Sequence, residues 1–518
     1  MRIALIWLLL CGIAAAGDDL DRTLAALRTA ARADYDARVN AVLDLEPETA
    51  EVIRRLGKGP VVTTALEAGW HRLEAEDEEG VRRPFQIYVP AAAVGKTEPL
   101  PLLVYMHGGV SRPDYTQKEG EVGAGTLWIE SADEAPFVVA FPLGRADCTW
   151  WSEAGVRHVR AVIRETKRRV AVDDDAIVGT GFSDGGSGCF HLSMVAPDPF
   201  AAFLPMNGFP AVSAVASGKQ VYLRNMKRTP QFVAMTQDDQ LYPATRVMPH
   251  LDPAMRAGAS IRLVSYESGG HRPVYFADQK AAFVRFITDT PRDPHPQEID
   301  WWCAEPCRVS WVEILELGAA AGDAEPLPDL NPLRNPGRIR LGFHPDREYA
   351  EPGVRVTTVV EESTAARIGL LAGDVIRELD GAVIVTLADL VAALGRKQHD
   401  QPVKVVVLRG ETEVTLTGRI PPFETKPWYV RKDPTARFSL SAEGNRIEIT
   451  SRHVRRFRLH LAPILFEPGP VEVIVNGRRV AAAIKTVPLP DLLRRYATLA
   501  DSGRIFLRVL QVSLPGVG

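Results

Sequence analysis

The sequence predicts a doubly wound α/β sheet joined to smaller β-rich modules, and three observations carry that expectation. Between Val61 and Asp293, short runs apolar at every position recur, separated by stretches of helical spacing. Runs apolar on both faces are what a buried parallel sheet requires. Beyond Asp293 the pattern turns to strict alternation, which suits half-buried strands. Length agrees, since 518 residues is room for about three domains.

The strands can be taken in order. Arg83–Val89 reads as an entry strand, and Pro101–Met106, Phe137–Phe141 and Ala176–Thr180 as buried ones. Val156, Val159, Ile163 and Val170 mark a helix between the last two. Phe203–Met206, Phe232–Met235 and Arg262–Tyr266 complete the series, and strands spaced by helices give right-handed crossovers. Ahead of the sheet, Leu24, Leu27, Ala31, Val39, Val42 and Leu43 recur at helical spacing until Gly57 and Gly59-Pro60. That segment, residues 17–60, carries no nameable chemistry and reads as packing or a spacer. Behind the sheet, Val309–Ile314, Arg446–Ile449, Phe457–Leu461 and Val471–Val475 alternate, the last running into the hairpin signal Asn476-Gly477. We read residues 294–335 and 423–518 as one small β domain interrupted by a module at 336–422. Its seams are the proline-rich stretches Pro326–Pro336 and Pro421-Pro422.

Composition narrows the function. Apolar residues are 46% and charged residues 24%, which excludes wholesale disorder. Lys and Arg (61) nearly balance Asp and Glu (65), so the basic footprint of a nucleic-acid binder is missing. No internal stretch has the roughly 18 apolar residues of a membrane span. Met1-Arg2, the apolar Ile3–Ile13 and Ala14–Ala16 form a secretory leader cut near Ala16, which sends the mature chain to the periplasm or outside. A lipid anchor at Cys11 is disfavoured because Leu10 stands where that pattern wants a small residue. Four cysteines remain, and they allow three pairings or none. Cys303 and Cys307 are close in sequence, which would leave Cys148 with Cys189. No second Cys or His pair accompanies Cys303 and Cys307, so zinc is not expected, and no motif calls for a cofactor.

The chemistry gathers at three loops. Gly181-Phe182-Ser183-Asp184-Gly185-Gly186 follows the Ala176–Thr180 strand and enters a helix. A G-x-S-x-G turn in that setting uses glycines for a tight bend that lifts the serine hydroxyl above the sheet edge. A phosphate loop does not fit, because neither G-x-G-x-x-G nor a Walker lysine is present. Ser183 is therefore the candidate nucleophile, and it needs a histidine held by a carboxylate. Gln237-Asp238-Asp239-Gln240 follows one strand, and Gly269-Gly270-His271 follows the next. His271 is the candidate base, and Asp239 the candidate acid, with Asp238 the alternative and otherwise a solvated loop residue. His250 and His191 read as packing residues within helices. An oxyanion needs two fixed donors, here the N–H of Asp184 and the loop His107-Gly108-Gly109, with His107 a structural hydrogen-bonder. Trp150 and Trp151 either wall an acyl pocket or belong to the core.

Together these motifs resemble the α/β-hydrolase superfamily, nearest to secreted esterases of the feruloyl esterase and polyhydroxybutyrate depolymerase kind. The resemblance spans about Gly69 to Asp293 and rests on Met106–Gly109, Gly181–Gly186 and Gly269–His271. It implies hydrolysis of an acyl ester through an acyl-enzyme on Ser183, His271 and Asp239. The same motifs occur in prolyl-oligopeptidase-like peptidases, so a peptidase is the alternative, and a non-catalytic scaffold with a relic site is the third.

The interrupting module carries Arg340-Leu341-Gly342-Phe343, then Ser363–Leu370, Gly373-Asp374-Val375-Ile376 and Leu379-Asp380-Gly381. It resembles a PDZ domain of the kind attached to bacterial secreted serine proteases. The resemblance implies that the Leu341, Gly342 and Phe343 loop receives the carboxylate of a C-terminal peptide, which adds as a strand. Arg340 departs from the small or apolar residue usual there.

Overall fold

The structure, a computed structural model, describes residues 19–59, 62–111, 113–114, 120, 122–318, 329–334, 339–423 and 426–515. The expected leader at Met1–Ala16, with Cys11, and residues 326–328 and 335–336 of the Pro326–Pro336 seam lie outside the described residues. The chain divides into two compact units, one running to Pro332 and resuming at Tyr429, the other spanning Leu333–Trp428.

The first unit opens with helices α1 (residues 19–28), α2 (Tyr35–Leu43) and α3 (Thr49–Lys58). Its main sheet contains β1 (Gly69–Glu76), β2 (Arg82–Val89), β3 (Leu100–Met106), β4 (Val138–Pro142), β5 (Val172–Phe182), β6 (Ala202–Met206), β7 (Gln231–Thr236) and β8 (Ile261–Tyr266). The order is β1-β2-β4-β3-β5-β6-β7-β8. Pairing is antiparallel across β1-β2-β4 and parallel from β4 to β8. This is the doubly wound α/β sheet that the sequence led us to expect.

Both faces are covered. Helices α4 (Leu127–Glu134), α5 (Glu153–Arg169), α6 (Asp184–Val195), α7 (Val212–Ser217), α8 (Ala244–Arg256) and α9 (Phe276–Asp289) supply the layers. Strand β3 shows why its sequence is apolar throughout. Leu102, Val104 and Met106 join the cluster of α5 residues Val159 and Ile163, while Leu103 and Tyr105 join Trp128, Phe283 and Ile287 on the other face. The sequence reading missed β1. It is an edge strand with charged residues at Arg72, Glu74 and Glu76, so its apolar pattern is thin.

Past β8 the chain adds β9 (Glu298–Cys303), β10 (Cys307–Val309) and β11 (Val312–Leu317). Val309–Ile314 is thus not one strand. Ser310, at φ 50°, and Trp311 form a turn between β10 and β11. Asp198 holds that turn by accepting the Ser310 N–H at 2.7 Å.

The second unit contains β12 (Phe343–Pro345), β13 (Val354–Val359), α10 (Thr364–Ile368), β14 (Val375–Leu379), β15 (Ala382–Val383), α11 (Leu387–Gly395), β16 (Pro402–Arg409) and β17 (Thr412–Arg419). Its sheet runs β12-β13-β14-β16-β17 with β15 on β14, which leaves β12 at an edge. Leu341, Val356, Ile376, Val405 and Val407 fill the core.

The chain returns to the first unit with β18 (Ala436–Glu443), β19 (Arg446–Arg452), β20 (Val454–Leu461), β21 (Glu472–Val475), β22 (Arg478–Val480), β23 (Ile484–Thr486), α12 (Leu489–Leu499) and β24 (Arg508–Ser513). Two sheets result, β10-β11-β20-β24-β23 and β22-β21-β19-β18-β9, around a core that includes Trp301, Trp311, Phe438 and Phe457. Strands from before Leu333 and after Trp428 therefore share both sheets. Asn476 and Gly477 take positive φ and close the β21–β22 hairpin.

Helices α1 to α3 pack on α12 through Leu24, Leu27, Val42, Val52, Leu493 and Tyr496. Arg28 anchors that layer to the main sheet by a buried two-pronged contact with Asp174, at 2.8 and 3.0 Å. All four described cysteines are free thiols, Cys148 and Cys189 each buried, so the Cys148–Cys189 pairing is not formed. Among the described residues no helix is long and apolar enough to cross a membrane. None of their His, Cys, Asp and Glu side chains form a group of three able to hold a metal.

Candidate active site

Ser183 stands between β5 and α6 at φ 61° and ψ −118°, a strained conformation for a side chain with a Cβ. The turn is held tightly from both sides. A Cβ on Gly185 would lie 1.8 Å from the Met106 carbonyl, and one on Gly186 2.6 Å from the Met206 carbonyl. The Ser183 N–H donates to Met206 O at 3.0 Å, while its own carbonyl accepts from Ser187 N–H at 2.9 Å. The hydroxyl is thereby fixed at the carboxyl end of the sheet.

His271 reaches it from the loop after β8. Gly269 and Gly270 take positive φ there. Asp238 accepts the Gly270 and Gly269 N–H groups at 2.8 and 3.3 Å. Thr236 donates its hydroxyl to Gly270 O at 2.5 Å. The outcome is a continuous chain: His271 Nε2 is 2.7 Å from Ser183 Oγ, and His271 Nδ1 is 2.7 Å from Asp239 Oδ2. Phe182 lies against the imidazole, with ring centroids 4.9 Å apart.

Asp239 is buried at 1% exposure. Its Oδ1 accepts the Leu241 and Tyr242 N–H groups at 2.8 and 3.0 Å, and its Oδ2 also accepts Asn207 Nδ2 at 2.7 Å. Burial alone would raise the carboxyl. Hydrogen bonds from Asn207, Tyr242, His271 and Leu241 outweigh it and hold the pKa below the ordinary carboxylate value. Asn207 was not singled out from the sequence. It sits after β6 at φ 42°, donates also to Thr236 Oγ1 at 3.0 Å, and accepts the Tyr275 hydroxyl at 2.6 Å. Asp238, expected to be a solvated loop acid, is exposed on its loop, and its carboxylate also holds the loop that carries His271.

The Gly108 loop lies directly beside the serine, since a Cβ on Gly108 would be 3.1 Å from Ser183 Cβ. His107 clamps it. Nε2 of His107 accepts the Gly144 N–H at 3.0 Å, so the proton is on Nδ1, which donates to Gly108 O at 2.8 Å. Trp150 Nε1 donates to His107 O at 2.8 Å, and Asp184 Oδ2 accepts the Val110 N–H at 3.0 Å. Gly109, at φ 63°, lies within this fixed stretch. Trp150 and Trp151 are buried in the core with Val110 and Met106. His191 and His250 are buried, each pushed down to about 3 by loss of solvent. His250 Nδ1 is 2.7 Å from the Tyr429 hydroxyl.

In the second unit Gly342 takes φ 88°, and a Cβ there would lie 2.3 Å from Ser363 Cβ. Leu341 is buried at 1% exposure in the core of that unit, so it does not face an open pocket, and Phe343 packs half-buried beside it. On α11, Leu387 and Val391 remain exposed one turn apart.

A family model described as a PDZ domain matches residues 337–419. No curated protein matches the chain. Among solved structures the chain is similar to a thermostable esterase, at 23% identity and TM-score 0.36, covering 43% of this chain and 63% of that one. It is similar to the acylaminoacyl peptidase of Pyrococcus horikoshii at 12% identity and TM-score 0.35, covering 44% of this chain and 43% of that one. It is also similar to the S-formylglutathione hydrolase of Staphylococcus aureus, at 15% identity and TM-score 0.32, covering 43% and 98%. The chain thus spans less than two thirds of the first two.

Proposed function

We propose that the chain is an exported serine hydrolase that cleaves carboxylic esters through an acyl-enzyme. The reading rests on one observation, the unbroken Asp239–His271–Ser183 hydrogen-bond chain with both links at 2.7 Å. In this mechanism His271 takes the Ser183 proton as Oγ attacks the ester carbonyl, and Asp239 stabilises the imidazolium that forms. Backbone N–H groups of Asp184 and Gly109 receive the oxyanion, and losing one such donor costs about 3 kcal/mol. His271 then returns the proton to the leaving alcohol. Water, deprotonated by the same imidazole, releases the acid.

The PDZ domain supports a second binding role, capture of an extended peptide along the free edge of β12. A polypeptide-binding unit on the same chain favours peptide amides as a second class of substrate. Turnover of p-nitrophenyl esters against peptide anilides separates the two. Covalent labelling of Ser183 by a fluorophosphonate tests both, because a non-catalytic scaffold would not be labelled.

A further inference from the structure

Helix α6 carries Ser183 at its N-terminal end, and twelve residues put its other end about 18 Å away. There the first unit surrounds a cavity of about 660 Å³, lined by α5, the end of β1, the segment after α6, and loops next to β10 and α12. This is within the size range of small-molecule sites.

Its lining holds more cationic donors than acceptors. Arg160, on α5, has no hydrogen bond and no ion pair among the described residues. Arg308 spends Nε on Ser310 O at 3.3 Å, and its Nη2 is buried without a partner. Arg504 pairs with Asp198 at 2.9 Å, yet its Nε is likewise buried and unpartnered. Arg495 lies just behind the lining and shares the Phe506 ring with Arg308 at 5.3 and 5.6 Å. Its Nη2 is buried without a partner too, and burial pushes its pKa down to about 10.

Among the nearby acids, Asp198 faces Arg504 at 2.9 Å and its charge also reaches Arg160 and Arg495, so one carboxylate is shared by three guanidinium groups. Asp77 accepts from Arg83 at 2.9 Å and from two backbone N–H groups, and lies 3.6 Å from Nε of the lining residue Arg157. Asp501 takes both prongs of Arg292 at 2.7 Å. Glu78 and Glu305 are exposed. Guanidinium charge in excess of its carboxylate partners, with buried N–H groups left unpartnered on Arg308, Arg495 and Arg504, is costly, so this arrangement calls for an anion.

We propose that the cavity binds a small molecule through a phosphoryl group. Guanidinium forks match its oxygens, and donors arriving from α5, β10 and the loop after α12 surround a tetrahedral group better than a planar carboxylate.

The test is calorimetric titration of the full chain with sodium pyrophosphate at fixed ionic strength, in a buffer free of phosphate and sulfate. One saturable site per chain is expected, with a raised melting temperature. Arg160→Gln and Arg308→Gln should each weaken binding about tenfold or more. Arg479→Gln, an exposed arginine on β22, and Ser183→Ala should leave it unchanged. No saturable binding to the unaltered chain would overturn the proposal, even if one variant failed to fold. So would equal weakening by Arg479→Gln, or tighter binding of citrate than of pyrophosphate.

Discussion

Replacing Asp239 by asparagine changes one atom and should disable the proposed reaction. The native carboxylate faces four donors: Leu241 N–H, Tyr242 N–H, Asn207 Nδ2 and His271 Nδ1. An amide has one oxygen to offer them. If that oxygen serves the two backbone N–H groups, the NH2 group faces His271, whose Nδ1 must then accept. The imidazole proton moves to Nε2, and Ser183 meets a donor where it needs a base. A fall in kcat of about 10⁴ is expected, equivalent to about 5 kcal/mol of barrier. The NH2 group also opposes Asn207 Nδ2, so about 1–3 kcal/mol of stability should go with it. Initial rates on p-nitrophenyl acetate, with a melting curve to check folding, give both numbers. Asp238→Asn is the control, because an amide there keeps one acceptor for the Gly269 and Gly270 N–H groups, and about a tenfold loss is expected. Equal loss from the two variants, or an Asp239→Asn enzyme within tenfold of the parent, would refute this assignment of the acid.

Other perturbations read neighbouring parts of the structure. Asn207→Leu strips a donor from Asp239 and the acceptor from the Tyr275 hydroxyl, so kcat should fall about 10- to 100-fold with KM little changed. Gly185→Ala places a methyl 1.8 Å from the Met106 carbonyl, and despite alanine's helix preference the protein should melt lower or fail to accumulate. His191 is held neutral by burial, its pKa about 3 against 6.5 when exposed. Between those values the unfolded chain binds the proton and the folded one does not, so stability present above about pH 6.5 is lost as pH falls. His191→Phe should flatten that acid limb in urea titrations at pH 7 and pH 5; an unchanged slope would show that His191 is protonated or solvated in the folded state.

The parallel core of the sheet was legible because burial on both faces leaves no freedom for polar residues. Strands β3, β4, β6 and β7 are largely apolar, as is β5 beyond Asp173-Asp174-Asp175, and the sequence marks each of them. Where burial is one-sided or partial, the signal weakens. Strand β1 interleaves Arg72, Glu74 and Glu76 with its inward residues, and the reading passed over it. The alternation at Val309–Ile314 suggested a single strand, since period-2 patterning continues through a two-residue turn. Only Ser310 at φ 50° breaks the chain there, and its cause is a hydrogen bond to Asp198, 112 residues away.

The candidate site divides along the same line. Ser183 and His271 are marked locally, by glycines that the bends around them require. Asn207 has no such mark, because its value lies in joining β6 to the loops after β7 and β8. A weak signal existed in Met206-Asn207-Gly208, where an asparagine at a strand end tolerates the left-handed φ of 42°. Asp238 and Asp239 are harder still. Neighbouring residues point to opposite sides of the backbone, so one carboxylate turns inward to the imidazole and the other outward to the loop that bears it. One orients the ring and the other holds its loop. A sequence that shows two adjacent acids records the pair, and only the backbone's direction at that turn decides which of them touches the histidine.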